Sequence, residues 1–338
     1  MKACRITAPG NVETSDIPEP KPTSQETVVG VKRVGLCGTD LRAYTGENPN
    51  IEYPRIIGHE IGAVLSEQCV VDGRSYDSGT VVAVNPYSSC GSCPACRNGR
   101  SYACQFNQTL GNQRDGGAVE RLAIKRNRLY PLPRLDVDAA ACVEPLSVGF
   151  HAAARGAISE ADSAVVLGAG MIGLGAVAGA VARGARVIAV DLDDRKLEIA
   201  QALGAQAVVN AANDDPHSAI MRLTNEEGAS VVVEAIGSPA TYRQAIDFVA
   251  FTGRVVFIGY AKEDVAFTTK FFVAKELDIR GSRNAADEDF QAVIEALGRG
   301  QIPVQEIITR RYPLNEASEA FRYWGADPNR VTKVVLEV

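Results

Sequence analysis

Residues 165–191 read VVLGAGMIGLGAVAGAVARGARVIAVD, and no other stretch limits the fold as much. A short run rich in β-branched residues (Val165, Val166, Leu167) ends in Gly168-Ala-Gly170-Met171-Ile172-Gly173. A small-residue helical pattern follows over 174–183, then Gly184. A second strand pattern over 187–190 ends in Asp191. Strand, glycine turn, helix, strand and acid in that order make G-x-G-x-x-G a dinucleotide signal; the pattern alone is weak. Gly168 permits the tight turn, Gly170 lets the backbone approach a pyrophosphate, and Gly173 lets helix and strand pack closely. The helix N-terminus then faces the anion. Asp191 stands where an acid hydrogen-bonds the adenosine ribose, which favours NAD over NADP. The rival readings are a glycine-rich turn without a ligand and a membrane span, since 164–182 carries no charge. Five glycines and the turn break that run into pieces shorter than the ~20 residues a bilayer needs.

Around this stretch the chain alternates strands and helices. Strand patterns fall at 164–167, 187–190, 207–209, 230–234, 254–258 and 277–280, and helical ones at 171–183, 193–203, 216–225 and 239–250. That spacing predicts an α/β fold with a doubly wound parallel sheet. Before it, 27–34 and 79–85 read as strands, and 111–130 as further strands with Gly116-Gly117 as a turn. Residues 136–142 and 147–154 read as helical on either side of Glu144-Pro145. After it come amphipathic helices at 287–298 and 316–324 and a closing strand at 331–338.

Two other groups carry chemistry. Cys90, Cys93, Cys96 and Cys104 form C-x2-C-x2-C-x7-C in a glycine- and proline-bearing loop, the spacing of a closed Cys4 zinc site. An iron–sulfur cluster also uses four thiolates but has no supporting redox segment here. Few apolar residues could hold this loop otherwise, so its role is structural. Cys37 follows a strand and opens a helical turn, and His59 lies between Gly58 and Glu60. Either alone reads as a buried structural residue. Together with a carboxylate they form the mixed S/N/O set that suits zinc with an open position. Eight cysteines in a chain whose N-terminus, MKACRITAPG, lacks a signal-peptide core point to metal or catalysis rather than disulfides. The expected compartment is the cytoplasm. A formal net charge of −6 without a basic cluster makes nucleic acid an unexpected partner, and no membrane association is expected.

With these pieces placed, the chain resembles the zinc-dependent medium-chain dehydrogenases over essentially its whole length. The motifs that carry the resemblance are Cys37-Gly-Thr39-Asp40, Gly58-His59-Glu60, the four-cysteine loop, Glu144-Pro145 and the Gly168 turn, in that order. Within the family it resembles most the polyol and sugar-acid branch. Val143-Glu144-Pro-Leu-Ser-Val-Gly-Phe-His151 is similar to the sorbitol dehydrogenase stretch. Residues 53–60 and Gly281-Ser282-Arg283-Asn284-Ala285 are similar to bacterial L-galactonate 5-dehydrogenases.

The resemblance implies a GroES-like β-barrel over 1–147 and 284–338 and a Rossmann domain over 148–283. It implies two zinc ions per chain, a catalytic one held by Cys37, His59 and Glu144, with Glu60 nearby, and a structural one on the cysteine loop. Asp40 would accept the second ring N–H of His59, and Thr39 would carry the substrate proton outward. Gly168, Gly170, Met171, Ile172, Gly173, Asp191, Ser282 and Arg283 would bind NAD. Many relatives have histidine where Arg42 stands, and arginine cannot take up a proton near neutral pH. Arg42 and Arg283 are therefore candidate partners for a substrate carboxylate, against the plainer reading that they are surface or structural cations. The expected activity is hydride transfer from a secondary alcohol of a polyol or an L-galactonate-like sugar acid to NAD. The alternatives are an L-threonine 3-dehydrogenase or butanediol-type activity, or a zinc protein that binds nucleotide without turnover. Residues 252–260 read as an edge strand followed by an apolar segment at 265–273, and such an edge is normally covered or paired; the resemblance implies pairing with a twofold partner, as a homodimer or homotetramer.

Overall fold

The computed structural model describes residues 1–338. The chain divides into two compact units, Met1–Glu144 with Val304–Val338, and Pro145–Pro303.

The first unit is built on a seven-stranded sheet. Its strands run in the order Leu129–Pro131, Val81–Val84, Glu60–Leu65, Glu26–Leu36, Lys333–Glu337 and Ile308–Pro313, with Arg121–Lys125 also paired to Glu26–Leu36. The C-terminal strand pairs on one side with Ile308–Pro313 and on the other with Glu26–Leu36, a segment nearly 300 residues away in sequence. Val334 pairs with Leu36 and Val335 with Gly35, which is why residues 304–338 belong to this unit. Alternating inward residues such as Val29, Val31, Val34 and Leu36 fill the core. Helix Ala317–Ala326 buries Phe321, which stacks on Tyr44 at 4.9 Å.

The second unit holds six parallel strands in the order Ala207–Asn210, Arg186–Asp191, Ser163–Leu167, Ala229–Glu234, Val249–Phe257 and Asp278–Gly281. The sequence order reverses between Ser163–Leu167 and Ala229–Glu234, the switch point at which such sheets bind nucleotides. The central strands Ser163–Leu167, Arg186–Asp191 and Ala229–Glu234 are buried and largely apolar because helices cover a doubly wound sheet on both faces. Local signals start the helices. Asp193 accepts from Lys196 N at 3.1 Å, Asp215 from Ser218 N at 2.9 Å and Ser238 from Thr241 N at 3.1 Å. Pro216 and Pro239 occupy first helical positions, where a missing N–H costs nothing.

Four expectations differ from what forms. Residues 111–120 are not strands. The N–H groups of Gly116, Gly117 and Ala118 go to the carbonyls of Ile56, Gly58 and Ile57, so the segment is tied to a loop rather than to a ladder. The two helical patterns around Pro145 are one helix, Val137–Arg155, because a proline removes only one N–H from an otherwise alanine-rich run. Val249–Phe257 is not an edge strand, since Asp278–Gly281 pairs outside it. The second boundary between units falls at 303/304 rather than 283/284, and the first at 144/145 rather than 147/148. Helix Asp287–Gly298 buries Phe290 and Val293, and its Asp289 lies 2.7 Å from Nδ1 of His151, so this helix packs within the second unit.

Candidate functional site

Three clusters stand out, two in the first unit and one in the second. The loop after strand Val81–Val84 gathers the sulfurs of Cys90, Cys93, Cys96 and Cys104 within 4.8 Å of one another. Cys93 Sγ lies 3.5 Å from Cys96 Sγ and 3.8 Å from Cys104 Sγ, and Cys90 Sγ lies 4.0 Å from Cys96 Sγ. Four thiolates on one zinc at ~2.3 Å sit about 3.8 Å apart. The spacing therefore fits a tetrahedral ion and is far too wide for a disulfide. Backbone N–H groups of Ser92 and Cys93 and the Ser92 hydroxyl point at Cys90 Sγ and pull its pKa down to about 6. Such donors stabilise the thiolate that binds metal.

The second cluster lies where strand Glu26–Leu36 ends. Cys37 caps helix Gly38–Thr45, and its N–H is accepted by Asp40 Oδ2 at 2.9 Å. Strand Glu60–Leu65 presents His59 and Glu60 beside it. Donor atoms of Cys37, His59 and Glu60 lie within 4.8 Å of one another. Glu144, from helix Val137–Arg155, adds a second carboxylate whose charge acts on His59. Its Oε1 accepts a hydrogen bond from the buried Tyr87 hydroxyl. Glu60 is ion-paired instead. Lys333 Nζ donates to both Glu60 oxygens at 2.5 and 2.6 Å, and to Leu36 O at 3.0 Å.

This pocket is rich in negative groups. Burial alone would lower the pKa of His59, yet Asp40, Cys37 and Glu144 together hold it well above its ordinary value. Burial pushes Glu144 up to about 7; Glu60 adds to that, against His59 and Tyr87. Anionic neighbours that favour a proton on the imidazole equally favour a divalent cation in its place, and thiolate, imidazole and carboxylate are zinc donors. The expected Asp40–His59 hydrogen bond is not formed. Asp40 Oδ1 and His59 Nδ1 are both buried without a hydrogen-bond partner. Thr39 Oγ1 lies 3.8 Å from Cys37 Sγ, at the mouth of the cluster. Arg42 occupies the last turn of the same helix, half-buried.

The third cluster is the glycine turn. Gly168 has φ +94°, in the region that favours glycine. A Cβ on Gly173 would sit 1.8 Å from Gly168 O, so only glycine lets this helix start against the strand. Gly170 caps helix Met171–Val181, and a Cβ there would meet nothing within 4 Å. That open space beside free helix N–H groups fits a pyrophosphate. Asp191 Oδ2 accepts from Ala169 N at 2.6 Å, and Oδ1 from Leu192 N and Asp193 N at 2.8 and 3.1 Å. The carboxylate thus fixes the turn, and a carboxylate's four lone-pair sites leave one for a ribose hydroxyl. Ser282 is buried, its N–H bonded to Phe257 O at 2.9 Å, and Arg283 beside it is exposed.

Two residues of the metal cluster were not anticipated. Tyr87 lies three positions before Cys90 and gives no pattern in sequence. Lys333 had a signal, a lysine directly before the apolar run Val334–Leu336 of the closing strand.

Residues 23–134 match the model of the alcohol dehydrogenase GroES-like domain, and residues 172–299 that of the zinc-binding dehydrogenases. The chain is 34% identical over 304 residues to an L-galactonate-5-dehydrogenase of Escherichia coli (strain K12), covering 89% of this chain and 88% of that one. It is 31% identical over 344 residues to a sorbitol dehydrogenase of Bacillus subtilis (strain 168), covering 99% and 97%. The chain belongs to the zinc-type medium-chain alcohol dehydrogenase family. Among solved members, galactitol-1-phosphate dehydrogenase from Escherichia coli superposes with a TM-score of 0.90 at 27% identity, covering 100% of both chains. As a member of this family the protein is an oxidoreductase of the zinc-dependent alcohol and polyol dehydrogenases. No helix is long and apolar enough to cross a membrane.

Proposed function

We propose that the protein oxidises a secondary alcohol of a polyol or an L-galactonate-like sugar acid, with NAD as acceptor. The observation that carries this reading is the buried Cys37–His59–carboxylate cluster, whose surplus of negative groups suits a dication. Of its two carboxylates, Glu60 is ion-paired with Lys333, while Glu144 accepts from the buried Tyr87 phenol through Oε1 and acts on the His59 ring. Cys37, His59 and Glu144 are therefore the proposed ligands of the catalytic zinc, and the four-cysteine loop those of a second, structural zinc. When bound, zinc supplies Lewis-acid polarisation of the substrate hydroxyl and NAD supplies the hydride acceptor.

The chain's own residues do the rest. Thr39 Oγ1, beside Cys37, takes up the hydroxyl proton and passes it outward. Arg42 stays charged and cannot be the last acceptor. Its planar fork instead suits a substrate carboxylate, as does that of Arg283. Gly168, Gly170, Met171, Ile172 and Gly173 present backbone to the pyrophosphate, and Ser282 and Arg283 add contacts to the cofactor. Asp191 accepts from the ribose and repels a 2′-phosphate, hence NAD rather than NADP.

The protein also pairs into a homo-oligomer. The outer strand Asp278–Gly281 carries the exposed Ile279, and Phe251 and Val273 in the same unit are 68% and 83% exposed. Apolar surface at a sheet edge is normally covered.

Initial rates of NADH formation across sugar acids, neutral polyols and amino alcohols test the substrate. A sugar acid should be preferred over its neutral polyol. Arg42→Ala or Arg283→Ala should lower kcat/KM on the acid by roughly ten- to a hundredfold, the worth of a charge-assisted bond. A clear preference for L-threonine or a butanediol contradicts the substrate reading, and equal rates on acid and polyol contradict the carboxylate role of the two arginines.

A further inference from the structure

Two loops of the first unit meet beside the Cys37–His59 cluster. Residues 46–54 follow the helix that carries Thr39, and residues 107–115 follow the cysteine loop. The second loop is braced from within. Thr109 N, Leu110 N and Gly111 N donate to Gln113 Oε1, Pro86 O and Arg114 O at 2.9, 3.1 and 2.8 Å. It also presses on the segment that leads into His59, since a Cβ on Gly111 would stand 2.5 Å from Gly58 N. The first loop reaches it through one pair of amides. Buried Asn48 donates from Nδ2 to Thr39 O at 3.4 Å and to Asn112 Oδ1 at 3.1 Å, and its Oδ1 accepts from Asn50 N at 3.0 Å. Asn112 therefore sits between the segment that bears Cys37 and Thr39 and the one that bears His59.

The chemistry of its partners fixes how this amide points. The Asn50 N–H can only donate and the Thr39 carbonyl can only accept, so Asn48 has one orientation. Its Nδ2 then requires the oxygen of Asn112. The Asn112 NH2 group is left with no hydrogen bond inside the protein, on a side chain that is half-buried rather than sealed. Asn107 on the same loop is different. Its Oδ1 accepts from Ser88 N at 3.0 Å and its Nδ2 donates to Thr109 Oγ1 at 2.8 Å, so both ends of that amide are used by the fold.

We propose that Asn112 is a specificity-determining residue, whose amide donates to a substrate hydroxyl oxygen on a carbon other than the one oxidised. This rests on the polyol and sugar-acid reading and deepens it, since the site then selects alcohols that carry a further hydroxyl. A donor already held in place needs no reorientation when substrate arrives. An alcohol without that hydroxyl leaves it unpaired, the arrangement by which a site rejects an analogue most strongly. Asn48 is a positioning residue, because it acts by fixing the Asn112 amide.

The test is a comparison of substrates that differ by one hydroxyl. NADH formation is measured from sorbitol and from L-galactonate, then from the monodeoxy derivatives of whichever is oxidised faster. Asn112→Ala should lower kcat/KM on the parent compound roughly two- to tenfold, the worth of a hydrogen bond between neutral groups. On one monodeoxy derivative the loss should vanish, because the partner oxygen is already missing. Asn112→Leu, which keeps the volume and lacks the donors, should repeat the pattern and serves if Asn112→Ala does not fold. Asn48→Ala should reproduce part of the loss, on the same hydroxyl. Equal losses on every derivative would make Asn112 a brace of the loop, and unchanged kcat/KM in the variant that folds would remove it from binding; either result overturns the proposal. If the wild-type protein forms no NADH from either parent compound, the substrate reading fails and takes this assignment with it. If it does, and no single hydroxyl accounts for the effect of the Asn112 variants, only the role of Asn112 fails.

Discussion

At the scale of single residues, the site depends on side chains that keep charge from being left alone in the interior. Tyr87 donates to Glu144 where burial already disfavours the carboxylate. Tyr87→Phe removes that donor and little else. It should cost about 1–3 kcal/mol in urea unfolding, the cost of a buried acceptor left unmade, and should reduce kcat with zinc still bound. Normal kcat in that variant would mean that Tyr87 does not position the ligand. A second network sits away from the chemistry. Asp138 accepts from Arg33 Nε at 2.7 Å, Arg311 Nη2 at 2.6 Å and Gln305 at 3.3 Å. Burial would raise its pKa, but these donors outweigh it and hold the carboxyl below 3.8. The folded value lies below the unfolded one, so the stabilisation is present above the unfolded pKa and is lost as pH falls through the folded one. Asp138→Asn should therefore be less stable than wild type at neutral pH by about 1.5–3 kcal/mol. The gap should close as the pH drops below 3.8. A gap that widens in acid would reverse the assignment.

At the scale of elements, most strands and helices of the nucleotide-binding unit could be read from the chain because each announces itself locally. Asp193, Asp215 and Ser238 cap helices that begin one residue later. Glycine spacing marked the turn at Gly168. What could not be read depends on contacts distant in sequence. The loop at 111–120 is shaped by Ile56–Gly58, and Lys333 meets Glu60 across 273 residues. The edge was misplaced because strand Asp278–Gly281 is only four residues long and carries little pattern. The zinc sets were legible as groups of donors, but not which carboxylate is ion-paired. The cysteine loop offers an element-scale test. It has only a four-residue helix and a 3₁₀ turn of its own, and the structural zinc proposed for it would hold it folded. Cys93→Ser should lose one zinc per chain and lower the melting temperature, while Glu144→Ala should spare most of the fold. Full zinc content in Cys93→Ser would remove the structural assignment.

At the scale of the whole molecule, ligand binding and association should appear in stability. NAD at a hundredfold its Kd should stabilise the folded chain by about 2.7 kcal/mol, and NADP at the same concentration by clearly less, the consequence of the role proposed for Asp191. Equal shifts would contradict the proposed preference. Light scattering at micromolar concentration should give a dimer or tetramer; a monomer would leave Phe251, Val273 and Ile279 uncovered and end the pairing argument. The account as a whole rests on zinc in the Cys37–His59–Glu144 set driving NAD-linked oxidation of a secondary alcohol. The most direct measurement is NADH formation from L-galactonate and related sugar acids and polyols by holoenzyme, by enzyme stripped of zinc with chelator, and by the same enzyme after zinc is returned. The account predicts turnover on at least one of these substrates, its loss with the metal and its recovery on reloading, with no recovery in Cys37→Ser. Undiminished turnover after the zinc is gone, or no NADH from any secondary alcohol despite bound zinc and NAD, would contradict it.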